Sequence, residues 1–249
     1  MEGIVSLLDD KHYHLVEDIW TELARKFRVR GVYITPYPHF SYHVAAQYNL
    51  ESLTPILERI TSNITTFQVR TGGLGIFSGA APVIYIPVVR SLELTQLHEA
   101  LWNEFSPLAS GAQEYYHPDQ WMPHITVGFG DINKENLPTI VRWLNEQDFN
   151  WEITINNIAY IQDTGTEQVL KARFDIQNEP VSGESAMKRL HWQRLTREKL
   201  QEIFEIHEEI KKHTQGMVFE DSAELIRQQR EERTRYLEEL LRPSEQDNN

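Results

Sequence analysis

One short pattern occurs twice in this chain: Pro38-His39-Phe40-Ser41-Tyr42 and, 85 residues further on, Pro123-His124-Ile125-Thr126-Val127. Each copy is a proline, a histidine, an apolar residue, a hydroxyl residue and a strand-forming residue. Successive strand side chains alternate between faces, so His39 is expected to share a face with Ser41, and His124 with Thr126. Around each copy the same order recurs: strand, helix, motif strand, helix, strand, strand. A repeat of that kind predicts an α+β fold of two lobes related by a pseudo-twofold axis, with antiparallel sheets and flanking helices. The motif strands would lie near the axis, with a cleft between them.

The first unit, residues 1–79, opens on a strand from Ile4 to Leu8. A helix follows over His14 to Phe27, with Leu15, Ile19, Leu23 and Phe27 as its apolar stripe. Two prolines, Pro36 and Pro38, impose an extended approach to the motif strand His39 to Ala46. A helix over residues 50–60 and a hairpin of 66–70 with 74–78, turning at Gly72-Gly73, complete the unit. The second unit, residues 80–177, has a strand at 83–89 with an edge or bulge at Pro87, then a helix at 94–105 spaced to bury Leu94, Leu97, His98, Leu101 and Phe105. The loop 106–122 leads to the motif strand at 124–129 and a helix at 134–147. Strands at 151–162 and 168–176 close it, joined by a turn at 163–166. Beyond them, 178–185 reads as a linker and 186–249 as a charged helical extension, with helices up to about residue 241 and a disordered end at 244–249.

The chain has 249 residues and no cysteine, which excludes disulfides, thiolate nucleophiles and cysteine-ligated zinc. Its net charge of −13 is shared by both parts, with 12 Lys and Arg against 21 Asp and Glu in residues 1–177 and 12 against 16 in the rest. That disfavours long-range attraction to duplex nucleic acid, while leaving room for a small ligand or a single RNA end. The start, Met1-Glu2-Gly3-Ile4-Val5, lacks the basic and apolar run of a signal peptide, and no stretch approaches the length needed to span a bilayer. The expectation is a cytoplasmic protein with no membrane partner.

The motif pair suits a phosphate ester. Hydrolysing such an ester needs a base for water, an acid for the departing oxygen, and donors for the charge growing on phosphorus-bound oxygens. Histidine serves as either acid or base near neutral pH. His39 and His124 are therefore the candidate catalytic residues, and Ser41 and Thr126 the candidate phosphate binders. The scheme calls for no metal and no cofactor, and no carboxylate stands with His39, His43, His117 and His124 to build a metal site.

The two motifs resemble the signature of the two-histidine (2H) phosphoesterase superfamily, whose members carry two His-x-Thr/Ser motifs and include the bacterial 2′-5′ RNA ligase-like proteins and the cyclic nucleotide phosphodiesterases. The resemblance covers residues 1–177. It implies the same roles for the two histidines and the two hydroxyl residues, and a small cyclic nucleotide or a 2′,3′-cyclic-phosphate RNA end as substrate. Run in reverse, with a 5′-hydroxyl RNA end in place of water, the same groups would form a 2′-5′ linkage. The chain departs from the commonest pattern at Ser41, where threonine is frequent; the hydroxyl is kept and a methyl that restricts χ1 is lost.

Further candidates surround the motifs. His43 lies two residues beyond Ser41 and would share its face, although only His39 aligns with His124 through the preceding prolines. Tyr37, Tyr115, Tyr116 and Trp121 could stack a nucleobase at the cleft mouth. His12 and His14 read as surface residues. Thr71-Gly72-Gly73-Leu74-Gly75 lacks the lysine of a phosphate-binding P-loop and reads as a turn. The alternative to an enzyme is a non-catalytic module that binds a nucleotide or RNA end, with 186–241 serving self-association or a protein partner.

Overall fold

The structure, a computed structural model, describes residues 1–164 and 168–177. The expected linker at 178–185, the helices over 186–241 and the end at 244–249 lie outside the described residues, as does part of the expected turn at 163–166.

The first repeat contains β1 (Glu2–Leu7), α1 (Asp10–Phe27), a 3-10 turn (Gly31–Ile34), β2 (His39–Ala45), the short β3 (Gln47–Tyr48), α2 (Leu50–Ser62), β4 (Phe67–Arg70) and β5 (Gly75–Phe77). The second contains β6 (Val83–Pro87), α3 (Leu92–Phe105), the short β7 (Ala109–Ser110), β8 (His124–Gly128), α4 (Leu137–Leu144), β9 (Glu152–Ile155), β10 (Asn157–Asp163) and β11 (Gln168–Asp175). Antiparallel sheets with flanking helices are thus what forms. Among the described residues no helix is long and apolar enough to cross a membrane.

Each lobe is assembled from both repeats. One sheet has the order β11-β10-β1-β2 and the other β5-β6-β8. The last strands of each repeat therefore pair with the first strand of the other, and the two lobes share one continuous apolar core. The motif strands β2 and β8 end their sheets and lie beside each other at the junction.

The exchange corrects the expected hairpin. β4 pairs with β9 and β5 pairs with β6, so Gly72-Gly73 joins two different sheets. Gly72 donates its backbone N–H to the carbonyl of Pro87, and Gly73 takes a φ of 68°, a conformation that favours glycine. The β4–β9 ladder places Val69 opposite Ile153. The 85-residue offset of the motifs carries Val69 to Thr154, so the two repeats meet close to their axis here.

The strand expected at 151–162 is likewise two strands in two sheets. Asn157 makes the break: its side-chain Oδ1 accepts from the backbone N–H of Leu7 at 3.0 Å, and its Nδ2 donates to the Leu7 carbonyl at 2.9 Å. A side chain here substitutes for the backbone ladder. Asn157 is fully buried, and its carbonyl accepts from the Ser6 hydroxyl, which meets the Tyr42 hydroxyl at 2.8 Å.

Helix α1 starts a turn earlier than its apolar stripe suggests because Asp9 caps it, accepting from the His12 N–H at 3.0 Å. Its buried face is His12, Val16, Ile19, Trp20 and Leu23, and Leu15 stands 37% exposed. A strict four-residue spacing drifts around a 3.6-residue helix, which is why Leu15 leaves the core. His12, expected at the surface, is buried with Nδ1 2.6 Å from Asp9 Oδ1. Glycine is required at residue 31, where a Cβ would come within 2.2 Å of the Phe129 carbonyl oxygen. That close approach seats the 3-10 turn beside the end of β8.

Candidate active site

Pro38 and Pro123 hold the chain extended into β2 and β8, so each motif histidine is the first residue of its strand. Both rings are anchored in the same way. His39 Nδ1 lies 2.5 Å from the carbonyl oxygen of Tyr37, and His124 Nδ1 lies 2.7 Å from that of Met122. A carbonyl can only accept, so each Nδ1 carries a hydrogen, and in the neutral ring the lone pair falls on Nε2. Two residues on, Ser41 and Thr126 also face the cleft, and all four side chains line the same pocket. The cleft is open to solvent, and the space between its walls comes to about 720 Å³ when the open mouth is counted.

The hydroxyl residues are fixed through their backbones. The indole N–H of Trp121 donates to the carbonyl of Ser41 at 2.9 Å, and that of Trp20, on α1, donates to the carbonyl of Thr126 at 3.2 Å. Each repeat's first helix packs against the other repeat's motif strand, α1 onto β8 and α3 onto β2. The His124 ring is set against Phe77 and Tyr85, edge-on, at 5.1 and 5.2 Å between centroids.

Both motif strands bulge immediately after the hydroxyl residue. On β1, Val5 opposes Ser41 but Ile4 opposes His43, leaving Tyr42 as the extra residue. On β6, Tyr85 opposes Thr126 but Ile84 opposes Gly128, leaving Val127 as the extra residue. A bulge of one residue reverses the facing of everything beyond it. Val44 therefore lines the cleft after Ser41, and His43 does not.

That corrects the expectation for His43. It is fully buried, with Nδ1 2.6 Å from the Tyr48 hydroxyl and Nε2 3.2 Å from the Ser106 hydroxyl. Of the aromatic candidates, Tyr37 and Tyr116 line the cleft, but at 3% and 8% exposure they are too buried to take a stacked base. Tyr115 and Trp121 do not line it. The Tyr115 hydroxyl donates to Gln113 Oε1, and Trp121 is 1% exposed and stacked on His98 at 3.7 Å with 6° between the rings. His117 pairs with Asp119 at 3.5 Å, apart from the motif histidines. Sequence reasoning missed Trp20, Val44, Thr35 and Gln168 as cleft residues. Thr35 and Gln168 hydrogen-bond each other there across 133 positions of chain, and no local pattern marks that pair.

Burial sets the protonation of several rings. It disfavours the charged form of His39 and pushes its pKa below the ordinary histidine value, against the opposing pull of the Tyr37 carbonyl. His43 and His98 are pushed down to about 4 by burial. Both rings are neutral in the fold, whereas an unfolded histidine titrates near 6.5. Above that pH neither state binds a proton, so these rings add no pH dependence. As pH falls from 6.5 towards 4 the unfolded chain takes up protons first and stability is lost. Together the two rings should cost on the order of 3–5 kcal/mol across that window. Denaturant titrations at several pH values check this; a stability unchanged between pH 6.5 and 4.5 would contradict it.

The sequence model of the 2'-5' RNA ligase superfamily matches residues 9–167. With that match over most of its length, the chain belongs to the 2'-5' RNA ligase superfamily. A Bacillus cereus strain AH820 protein named "Putative phosphoesterase" is 32% identical over 119 residues, which is 47% of this chain and 64% of the relative. A similarly named protein of Bacillus cereus strain B4264 is 27% identical over 155 residues, covering 61% of this chain and 86% of the relative. The chain thus spans just under two thirds of the first relative's length. The crystal structure of TT0787 of Thermus thermophilus shares the fold, with a TM-score of 0.50 at 15% identity over 72% of this chain and 98% of that one.

Proposed function

We propose that the chain is a metal-independent phosphodiesterase that opens a 2′,3′-cyclic phosphate on a nucleotide or RNA end. The observation that carries this reading is the mirrored pair: two imidazoles with the same Nδ1 anchor and two hydroxyls with the same indole anchor, all lining one cleft.

In this reading His39 is the base, because burial keeps its ring neutral and its Nε2 lone pair open to a proton. Its Nε2 takes a proton from water as the water oxygen bonds to phosphorus. The bond from phosphorus to one ribose oxygen breaks, and that oxygen takes a proton from the imidazolium of His124. The products are a ribose hydroxyl and a phosphate monoester. Ser41 and Thr126 donate to the non-bridging oxygens as charge accumulates there. With a 5′-hydroxyl in place of water and the steps reversed, the same groups would join two RNA ends by a 2′-5′ linkage. The names of the Bacillus relatives support a phosphoesterase.

A panel of nucleoside 2′,3′-cyclic phosphates and cyclic-phosphate oligonucleotides, assayed in EDTA, tests the proposal. Turnover of at least one member to a monoester is expected. Binding without product on every member would favour a non-catalytic module, and turnover abolished by EDTA would end the metal-independent scheme.

A further inference from the structure

Building on the acid–base reading above, we infer that Trp121 and Trp20 are positioning residues for the reaction, each setting one phosphate-binding hydroxyl, and that His98 braces Trp121. Each indole spends its N–H on the carbonyl of the hydroxyl residue of a motif, Ser41 for Trp121 and Thr126 for Trp20. Both carbonyls adjoin the bulge, where the regular ladder is interrupted and a strand would otherwise have latitude to shift. The two tryptophans come from unrelated places, a helix and a loop, yet they arrive at equivalent atoms of the two motifs.

On the Ser41 side the indole is itself held on several fronts. The His98 ring lies flat against it at 3.7 Å, and the Arg90 guanidinium carbon sits 5.7 Å from its ring centroid. His98 Nε2 donates to the carbonyls of Tyr42 at 3.1 Å and Tyr116 at 2.9 Å. One ring thus ties the bulge residue, the cleft-lining loop and the indole together. His98 is fully buried, and its Nδ1 has no hydrogen-bond partner among the described residues. An apolar residue in that place would avoid the cost of an orphaned buried nitrogen, so the two donated bonds and the stack are what the histidine contributes.

Trp121→Phe and Trp20→Phe keep an aromatic ring and delete the donor. The expected result is a fall in kcat of about tenfold for each with KM changed much less, because the hydroxyl is displaced where charge develops and not where substrate first binds. The decisive arm is a double-mutant cycle. Trp121→Phe should have almost no further effect on kcat in the Ser41→Ala background, where there is no hydroxyl left to place, and its full effect in the Thr126→Ala background. Trp20→Phe should show the reverse dependence. His98→Phe, which keeps a ring for stacking and loses both donated bonds, should follow the pattern of Trp121→Phe. Lowered stability with unchanged kcat, or effects that multiply in both backgrounds alike, would overturn the inference. A Ser41→Ala variant with full activity would instead remove the role given to that hydroxyl.

Discussion

His39→Ala and His124→Ala are each expected to lower kcat by about 10²- to 10⁴-fold, the range that a positioned general acid or base supplies. Both rings are half-buried at the mouths of their strands, and each has its Nδ1 bond to a carbonyl two residues back. Removing either ring leaves the sheet ladders and the core intact, so the variants should fold, with unfolding midpoints close to that of the unaltered chain. The double variant should be little worse than the worse single one, because base and acid act in the same step and neither is useful alone. Activity close to the original in either variant, measured on the substrate identified by the panel, would remove that histidine from the mechanism.

Ser41→Ala and Thr126→Ala carry the second large effect, an expected loss of about 10²- to 10³-fold in kcat for each, as for a donor aimed at developing charge. The backbone anchors make this a clean test. Trp121 and Trp20 grip the carbonyls of these residues and not their hydroxyls, so alanine keeps both bonds. Ser41→Thr restores the commoner residue and should retain activity within about tenfold, since the added methyl only narrows the choice of rotamer. A rise in KM with kcat unchanged would assign the hydroxyls to substrate capture alone.

Much of this arrangement can be read from the residues. The Pro-His-x-Ser/Thr pairs and the recurring element order lead directly to two motif strands meeting at one cleft, because strand alternation is a local property. Long-range pairing is not local. Nothing in Gly72-Gly73 tells whether the flanking strands turn back on each other or separate into two sheets, and nothing near Asn157 shows that its amide will imitate the backbone of Leu7, 150 residues away. His43 illustrates the limit of periodicity: one extra residue at Tyr42 moves it from the cleft to a buried contact with Tyr48. Leu15 leaves the core because a four-residue spacing drifts around a 3.6-residue helix, and the Asp9 cap extends that helix back over His12, which joins the buried face. Trp20 escapes notice and Trp121 reads as a stacking residue because both act on carbonyls, which carry no side-chain signature.

The dependence of kcat/KM on pH, measured for the unaltered chain and for His39→Gln and His124→Gln, tests the central claim most directly. A neutral base and a protonated acid predict a bell, with the acid limb falling below pH 6.5 because burial lowers the pKa of His39. In the residual activity of the variants, His39→Gln should lose the acid limb and His124→Gln the alkaline one. A profile without limbs, or one in which both variants keep both, would contradict proton transfer by this pair.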